Sequence, residues 1–185
     1  MLEASYFRVP EGSMINLERT VAWFGGVNED EMKKVFGKIV ELYQKDNKEP
    51  IYLVITSGGG STVVSFAFYD LITACNINLV TICAGHADSA AIVIFLAGKE
   101  RLATEHSTME IHESEVSFSD PRRGDEVNAA KKYNDIGSRF SAEIVNRQTG
   151  GMVTAKTFHL LRRDITILTA DEMLELGIAT DILKQ

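Results

Sequence analysis

A chain of 185 residues, 45% hydrophobic and 24% charged, has room for one domain with a full core and the make-up of an ordinary globular protein. Its formal charge of −7 lacks the basic footprint of a nucleic-acid surface, so no nucleic-acid partner is expected. The N-terminus has no basic segment leading into a long apolar one, and the apolar run after Ser89 is half a membrane span. The reading is a soluble, cytoplasmic protein with no membrane partner.

Residues 1–18 hold Pro10, Gly12 and scattered polar groups, and read as an irregular arm or loop. Arg19 to Phe24 is a short strand ended by Gly25-Gly26. Asn28 with Glu31 has the spacing of a capping box, and Met32, Val35, Phe36, Ile39, Val40 and Tyr43 recur at helical spacing behind it. Ile51 to Ile55 is a continuous apolar run, as in a strand buried on both faces. A glycine turn, Gly58-Gly-Gly60, precedes a helix capped by Ser61 and running to about Cys75. Leu79 to Ala84 and the helix expected near Ser89 repeat the β-turn-α unit.

Such alternation implies a mainly parallel sheet with helices on its faces, and ligands gather beyond the carboxyl ends of its strands. The turns 57–61 and 85–89 both lie at such ends, so they are expected to be neighbours. Two short strands, 101–104 and 108–111, are followed by a polar stretch from Glu113 to Gly124. A long helix from 125 to about 147, a shorter one over 153–163 and a last one after the Thr169/Glu172 capping box complete the chain. No second domain is read; residues 1–185 form one unit.

The chemistry centres on Gly85-His-Ala-Asp-Ser89. A serine at a strand-to-helix turn projects its hydroxyl, and free N–H groups at the helix start stabilise developing negative charge. With His112 ending another apolar run, these are the parts of an acyl-transfer site. Cys75 and Cys83 form no metal-type spacing and read as reduced thiols; His86 and His106 likewise read as core or surface histidines. There is no Walker A pattern, and neither metal nor cofactor is called for. Asp88 is a helix-start charge or, if it faces His112, a carboxylate that would favour the imidazolium.

Several motifs in order carry a family resemblance. Thr56-Ser-Gly-Gly-Gly-Ser61 matches an Asn-Ser-Pro-Gly-Gly-Ser turn, Tyr69-Asp70 a Tyr-Asp pair in the next helix, and Gly85-His-Ala-Asp-Ser89 a Gly-x-Ala-x-Ser nucleophile turn. Met109-Glu-Ile-His112 matches the run that carries the general base. Arg163-Asp164-Ile-Thr-Ile-Leu-Thr-Ala170 matches the carboxylate region, and Gly177 to Leu183 the closing segment. From Arg19 to Leu183 the chain resembles the Clp protease proteolytic-subunit family, as a divergent member.

The resemblance implies a Clp-protease and crotonase-type α/β fold of repeated β-β-α-like units, with 125–148 as a long handle helix and 1–18 as an arm or axial pore loop. It implies a serine endopeptidase with a Ser89, His112, Asp164 triad. Gly60 and Ala90 N–H groups are the oxyanion hole, and Ser61, Thr62, Glu115 and Val116 bind substrate. It also implies stacked heptameric rings and a separate AAA+ ATPase unfoldase that delivers unfolded polypeptides. The chain departs from the family pattern at Gly58, at Asp88, in 112–118, and by one extra residue between Asp164 and Leu168. Those departures keep open, as an alternative, a catalytically silent ring subunit; a second alternative is a crotonase-like acyl-CoA enzyme, which shares the fold and an oxyanion hole.

Overall fold

A computed structural model describes residues 6–8, 14–113 and 123–184. Strands β1 (Tyr6–Arg8) and β2 (Met14–Asn16) pair antiparallel, where the sequence reads as an irregular arm. Ile15 explains the difference: it is buried against Tyr52, Val80, Ile82 and Leu102, covering sheet surface that the main core leaves bare. A 3-10 turn then leads to β3 (Thr20–Phe24) and helix α1 (Glu29–Lys45). Asn28 caps α1 by accepting from the Glu31 N–H at 3.0 Å. The reciprocal half of the expected box does not form, because the Glu31 carboxylate is taken by Lys34 at 2.8 Å.

Strand β4 (Ile51–Ser57), helix α2 (Thr62–Ala74), strand β5 (Leu79–Ala87) and helix α3 (Ala91–Phe95) follow. Next come β6 (Glu100–Thr104), β7 (Thr108–Ile111), α4 (Gly124–Gln148), α5 (Ala155–Arg163), β8 (Thr166–Thr169), α6 (Ala170–Glu175) and β9 (Asp181–Leu183). The main sheet runs β3-β4-β5-β6-β9, all parallel; β7 leaves it beside β5, parallel, and pairs antiparallel with β8. This is the mixed, mainly parallel architecture that the alternation implied. β8 and β9 escape a sequence reading because each has only three or four residues, too few to show a period.

Ile51, Leu53 and Ile55 on β4 are fully buried in the main core with Leu79, Cys83, Phe68, Ile72 and the whole of α3. Helix α3 is shorter than its apolar run suggests, since burial on every side needs no amphipathic period. Two buried arginines fasten the periphery. Arg19 donates to the carbonyls of Pro50, Leu42, Asp46 and Glu49, and Arg101 to those of Ile178, Gly98, Gly177 and Gln148. In both, burial of the cation is offset by charge-assisted bonds to backbone carbonyls. Helix α4 buries only Ala142, Ile144 and Val145, near its end; Val127, Tyr133 and Phe140 are exposed. Its first turns therefore stand off the core.

Candidate active site

The two turns that were expected to be neighbours touch through backbone. The Asp88 N–H donates to the Ser57 carbonyl at 2.9 Å, extending the β4–β5 register past a bulge. Ser89 is then held in the left-handed region, at φ +54°. A non-glycine residue there costs on the order of 1–2 kcal/mol, so neighbouring bonds must impose it. They do. The Ser89 N–H donates to the Glu110 carbonyl at 2.9 Å, and the Ser89 and Asp88 carbonyls accept from Ile92 at 3.1 Å and Ala91 at 2.9 Å. Ser89 is thus a strained elbow rather than a helix cap; the residue before α3 is Ala90, with no side-chain cap.

Gly59 lies directly over this elbow, at φ +89°. A Cβ on it would sit 2.7 Å from Ser89 Cβ, 2.8 Å from the Asp88 carbonyl oxygen and 3.1 Å from the Ala90 nitrogen. Only glycine permits that approach. The loop is pinned to the chain after β3, where the Val27 N–H donates to the Gly59 carbonyl and the Ser61 N–H to the Val27 carbonyl, both at 2.8 Å. Those bonds leave the intervening Gly60 N–H without a backbone acceptor among the described residues, and the Ala90 N–H is equally free. Two unspent donors beside a strained serine are what a developing oxyanion requires.

Ser89, His112, Gly60, Ser61 and Thr62 line one cavity of about 1050 Å³, whose far wall comes from the α4 residues Tyr133 and Phe140. The His112 Nδ1 donates to the Glu113 carbonyl at 2.7 Å, which leaves Nε2 as the free lone pair. Among the described residues no hydrogen bond joins the Ser89 hydroxyl to His112.

Asp88 does not face His112. Its Oδ1 accepts the Glu110 N–H at 2.8 Å and its Oδ2 the His86 Nδ1–H at 2.6 Å. With Ser89 bonded to the Glu110 carbonyl, both backbone groups of Glu110 are tied to the nucleophile turn. His112 lies two residues on, so Asp88 sets the spacing between His112 and Ser89. The sequence signal for this was slight: a carboxylate next to the serine and a histidine two residues before it.

Asp164 caps α5, and its side chain is 63% exposed. Arg163 donates to it twice, at 2.9 and 2.8 Å, and that guanidinium holds the carboxyl below its ordinary range. It makes no hydrogen bond to His112 among the described residues. The next residue, Ile165, is left-handed at φ +47° and lines the large cavity instead. Glu115 and Val116 lie outside the described residues. Among the described residues no group of three or more His, Cys, Asp or Glu side chains is placed to hold a metal ion, and no helix is long and apolar enough to cross a membrane.

Residues 10–185 match the family model described as Clp protease. The chain belongs to the Clp protease family. It is similar to the ATP-dependent Clp protease proteolytic subunit 3 of Synechococcus sp., at 28% identity over 175 residues, covering 92% of this chain and 84% of that one. It is 28% identical to the proteolytic subunit 2 of Prochlorococcus marinus, with 91% of this chain and 83% of that one covered. To the proteolytic subunit of Nuphar advena it is 30% identical over 135 residues, 72% of this chain and 67% of that one. Identities at this level mark a divergent member, in keeping with the departures at Gly58, Asp88 and Asp164.

Proposed function

We propose that the chain is the serine endopeptidase subunit of an ATP-dependent Clp-type protease. His112 Nε2 takes the Ser89 proton, the hydroxyl oxygen attacks the peptide carbonyl, and the Gly60 and Ala90 N–H groups receive the oxyanion. His112 then returns the proton to the leaving amine, and water repeats the sequence on the acyl-enzyme. The observation that carries this reading is Ser89 held left-handed on the wall of a cavity that His112 and Gly60 also line, with the Gly60 and Ala90 N–H groups unspent. The Glu113 carbonyl orients the imidazole, and Asp164 is proposed as the third member. Its entry needs release from Arg163 and rotation of the 164–165 turn, whose second residue already borders the cavity.

Substrates are unfolded polypeptides, delivered by a separate AAA+ ATPase into stacked heptameric rings closed in part by the α4 handles, in the cytoplasm. Ser61 and Thr62, which line the cavity, are proposed to bind substrate together with Glu115 and Val116. The competing reading is a silent ring subunit, favoured by one observation: the Asp164 carboxylate is spent on Arg163. Fluorophosphonate treatment of the assembled protein, read by intact mass, separates the two. One adduct per chain, absent in Ser89→Ala, is the outcome expected of a peptidase. No adduct, with rings intact by sedimentation, would establish the silent subunit.

A further inference from the structure

Among the described residues three arginines are buried to 9% exposure or less: Arg19, Arg101 and Arg162. The first two distribute their guanidinium nitrogens over several backbone carbonyls each. Arg162 is different. Among the described residues its sole hydrogen bond is Nε to the His112 carbonyl, at 3.3 Å, with the guanidinium carbon 5.8 Å from the Phe158 ring centre. Its two terminal nitrogens have no partner there, although the residue is only 6% exposed. Those nitrogens are not sealed from solvent, so water is what they meet where the protein offers no acceptor; the partial burial lowers the proton affinity of the guanidinium, and Glu113, itself on the surface, is the carboxylate that acts in the opposite sense.

Arg162 also lines a recess of about 30 Å³ with Ser89, Ala90, Thr62, Ser141 and His112. That volume takes about two water-sized groups, the size of the two oxygens of a carboxylate. Its polar walls come from four elements: Thr62 on α2, Ser141 on α4, Arg162 on α5, and the nucleophile turn. A guanidinium beside the general base serves no purpose for the base alone, since a nearby cation disfavours the imidazolium that forms during attack. An anion arriving with the substrate removes that penalty and supplies the acceptors that Arg162 lacks.

Resting on the peptidase reading above, we infer that this recess is a substrate subsite in which Arg162 binds a carboxylate adjoining the scissile bond. Arg162 is a specificity-determining residue, and the enzyme selects acidic peptides. The carboxylate is either an Asp or Glu side chain immediately before the cleaved bond or the free terminus of a short substrate.

The test uses the assembled protein and peptidyl diphenyl phosphonates, which phosphonylate Ser89, with Asp, Glu or Leu at the position preceding the bond. Labelling by the acidic probes at least about tenfold faster than by the leucine probe, the return of one charge-assisted hydrogen bond, is the expected result. Arg162→Gln is expected to invert that order, and Arg162→Lys to retain part of it, because a point charge replaces a planar fork. If the acidic probes hold no advantage, leucine peptides with a free C-terminus are compared with their amides; an advantage for the free acids assigns the recess to a terminal carboxylate.

Leucine probes reacting as fast as acidic ones in the wild type, with no advantage for free acids, would overturn the inference without any variant having to fold. In that case a fluorophosphonate still labels Ser89. Failure of that small reagent as well would instead remove the peptidase reading, and this subsite with it.

Discussion

Replacing Gly59 with alanine tests the geometry of the nucleophile turn at its tightest point. The added methyl carbon would meet Ser89 Cβ at 2.7 Å and the Asp88 carbonyl oxygen at 2.8 Å, where ordinary contact begins near 3.4 Å. The loop and the elbow must therefore part by about 0.7 Å. Neither side yields easily. Gly59 is tied to Val27, and Ser89 to Glu110 and the start of α3. The backbone at φ +89° adds a further penalty of about 1–2 kcal/mol for any side chain. Displacement carries the Gly60 N–H away from the oxyanion position; a misplacement of about 1 Å costs on the order of 10²-fold, and loss of one donor about 10²–10³-fold. Fluorophosphonate labelling of Gly59→Ala is therefore expected to slow by about 10²-fold, with a lower melting temperature. Gly58→Ala is the control: its φ is not positive, and its methyl would meet only His86 Cε1, at 3.9 Å, so labelling and melting stay near wild type. Labelling of Gly59→Ala at the wild-type rate would refute the assignment of Gly60 to the oxyanion hole.

Four further outcomes are expected. Asp88→Ala removes the acceptor for the Glu110 N–H and is expected to slow Ser89 labelling by about tenfold or more, with Asp88→Asn recovering part of the rate by keeping an acceptor oxygen; equal rates in all three proteins would deny Asp88 a positioning role. Asp164→Asn loses an exposed ion pair, so its melting temperature is expected to stay near wild type. Its labelling in assembled rings is expected to fall by about 10² or more as the triad carboxylate is lost, and an unchanged rate would leave orientation of the base to the Glu113 carbonyl alone. Arg101→Met strands the carbonyls of Ile178, Gly98, Gly177 and Gln148, and is expected to cost at least about 3 kcal/mol in denaturant unfolding. Burial pushes the Cys83 thiol from its ordinary 9.0 up to about 12, so at pH 8 a disulfide reagent is expected to modify the exposed Cys75 alone in native protein and both thiols after unfolding. A raised pKa of this kind contributes stability that is complete below pH 9 and is lost as pH rises from there towards 12.

Much of the fold was legible because long-range features left local marks. Ile51 to Ile55 announces a central strand by its unbroken apolar run, and Asn28, Ser61 and Thr169 do cap the helices that follow them. The arm before Arg19 was misread because three-residue strands carry no period; what orders β2 is the burial of one side chain, Ile15, on a sheet face formed by distant residues. At the site, Ser89, His112 and the glycine turn were readable as types at the right ends of strands. The positive φ of Ser89 was not, since it arises from bonds to Glu110 and α3. Arg162 was invisible for a related reason: two adjacent arginines ending an amphipathic helix look alike until packing sends one inward and leaves the other on Asp164.

The carboxylate is where reading by register reaches its limit. Asp164 and Ile165 occupy one turn between α5 and β8, and a single residue of offset decides which of them looks into the cavity. With α5 ended at Arg163 and β8 paired to β7 from Thr166, that turn has two residues in which to reverse the chain. Ile165 takes the left-handed conformation, at φ +47°, which is unfavourable for a β-branched residue. Its side chain borders the cavity yet remains 61–63% exposed, as do its neighbours Ile167 and, by side chain, Asp164. A strained, solvated isoleucine in the place of a catalytic acid, with the acid one bond away on a surface arginine, describes a turn with little holding it in this arrangement. Rotation there would relieve the backbone strain and release Asp164 towards His112 at the expense of one exposed ion pair, which is worth about 1 kcal/mol or less. On that balance the proposed role of Asp164 as third member of a triad would depend on what packs against the turn rather than on its own sequence. Asp164→Asn should therefore separate from wild type in assembled rings and not in isolated chains.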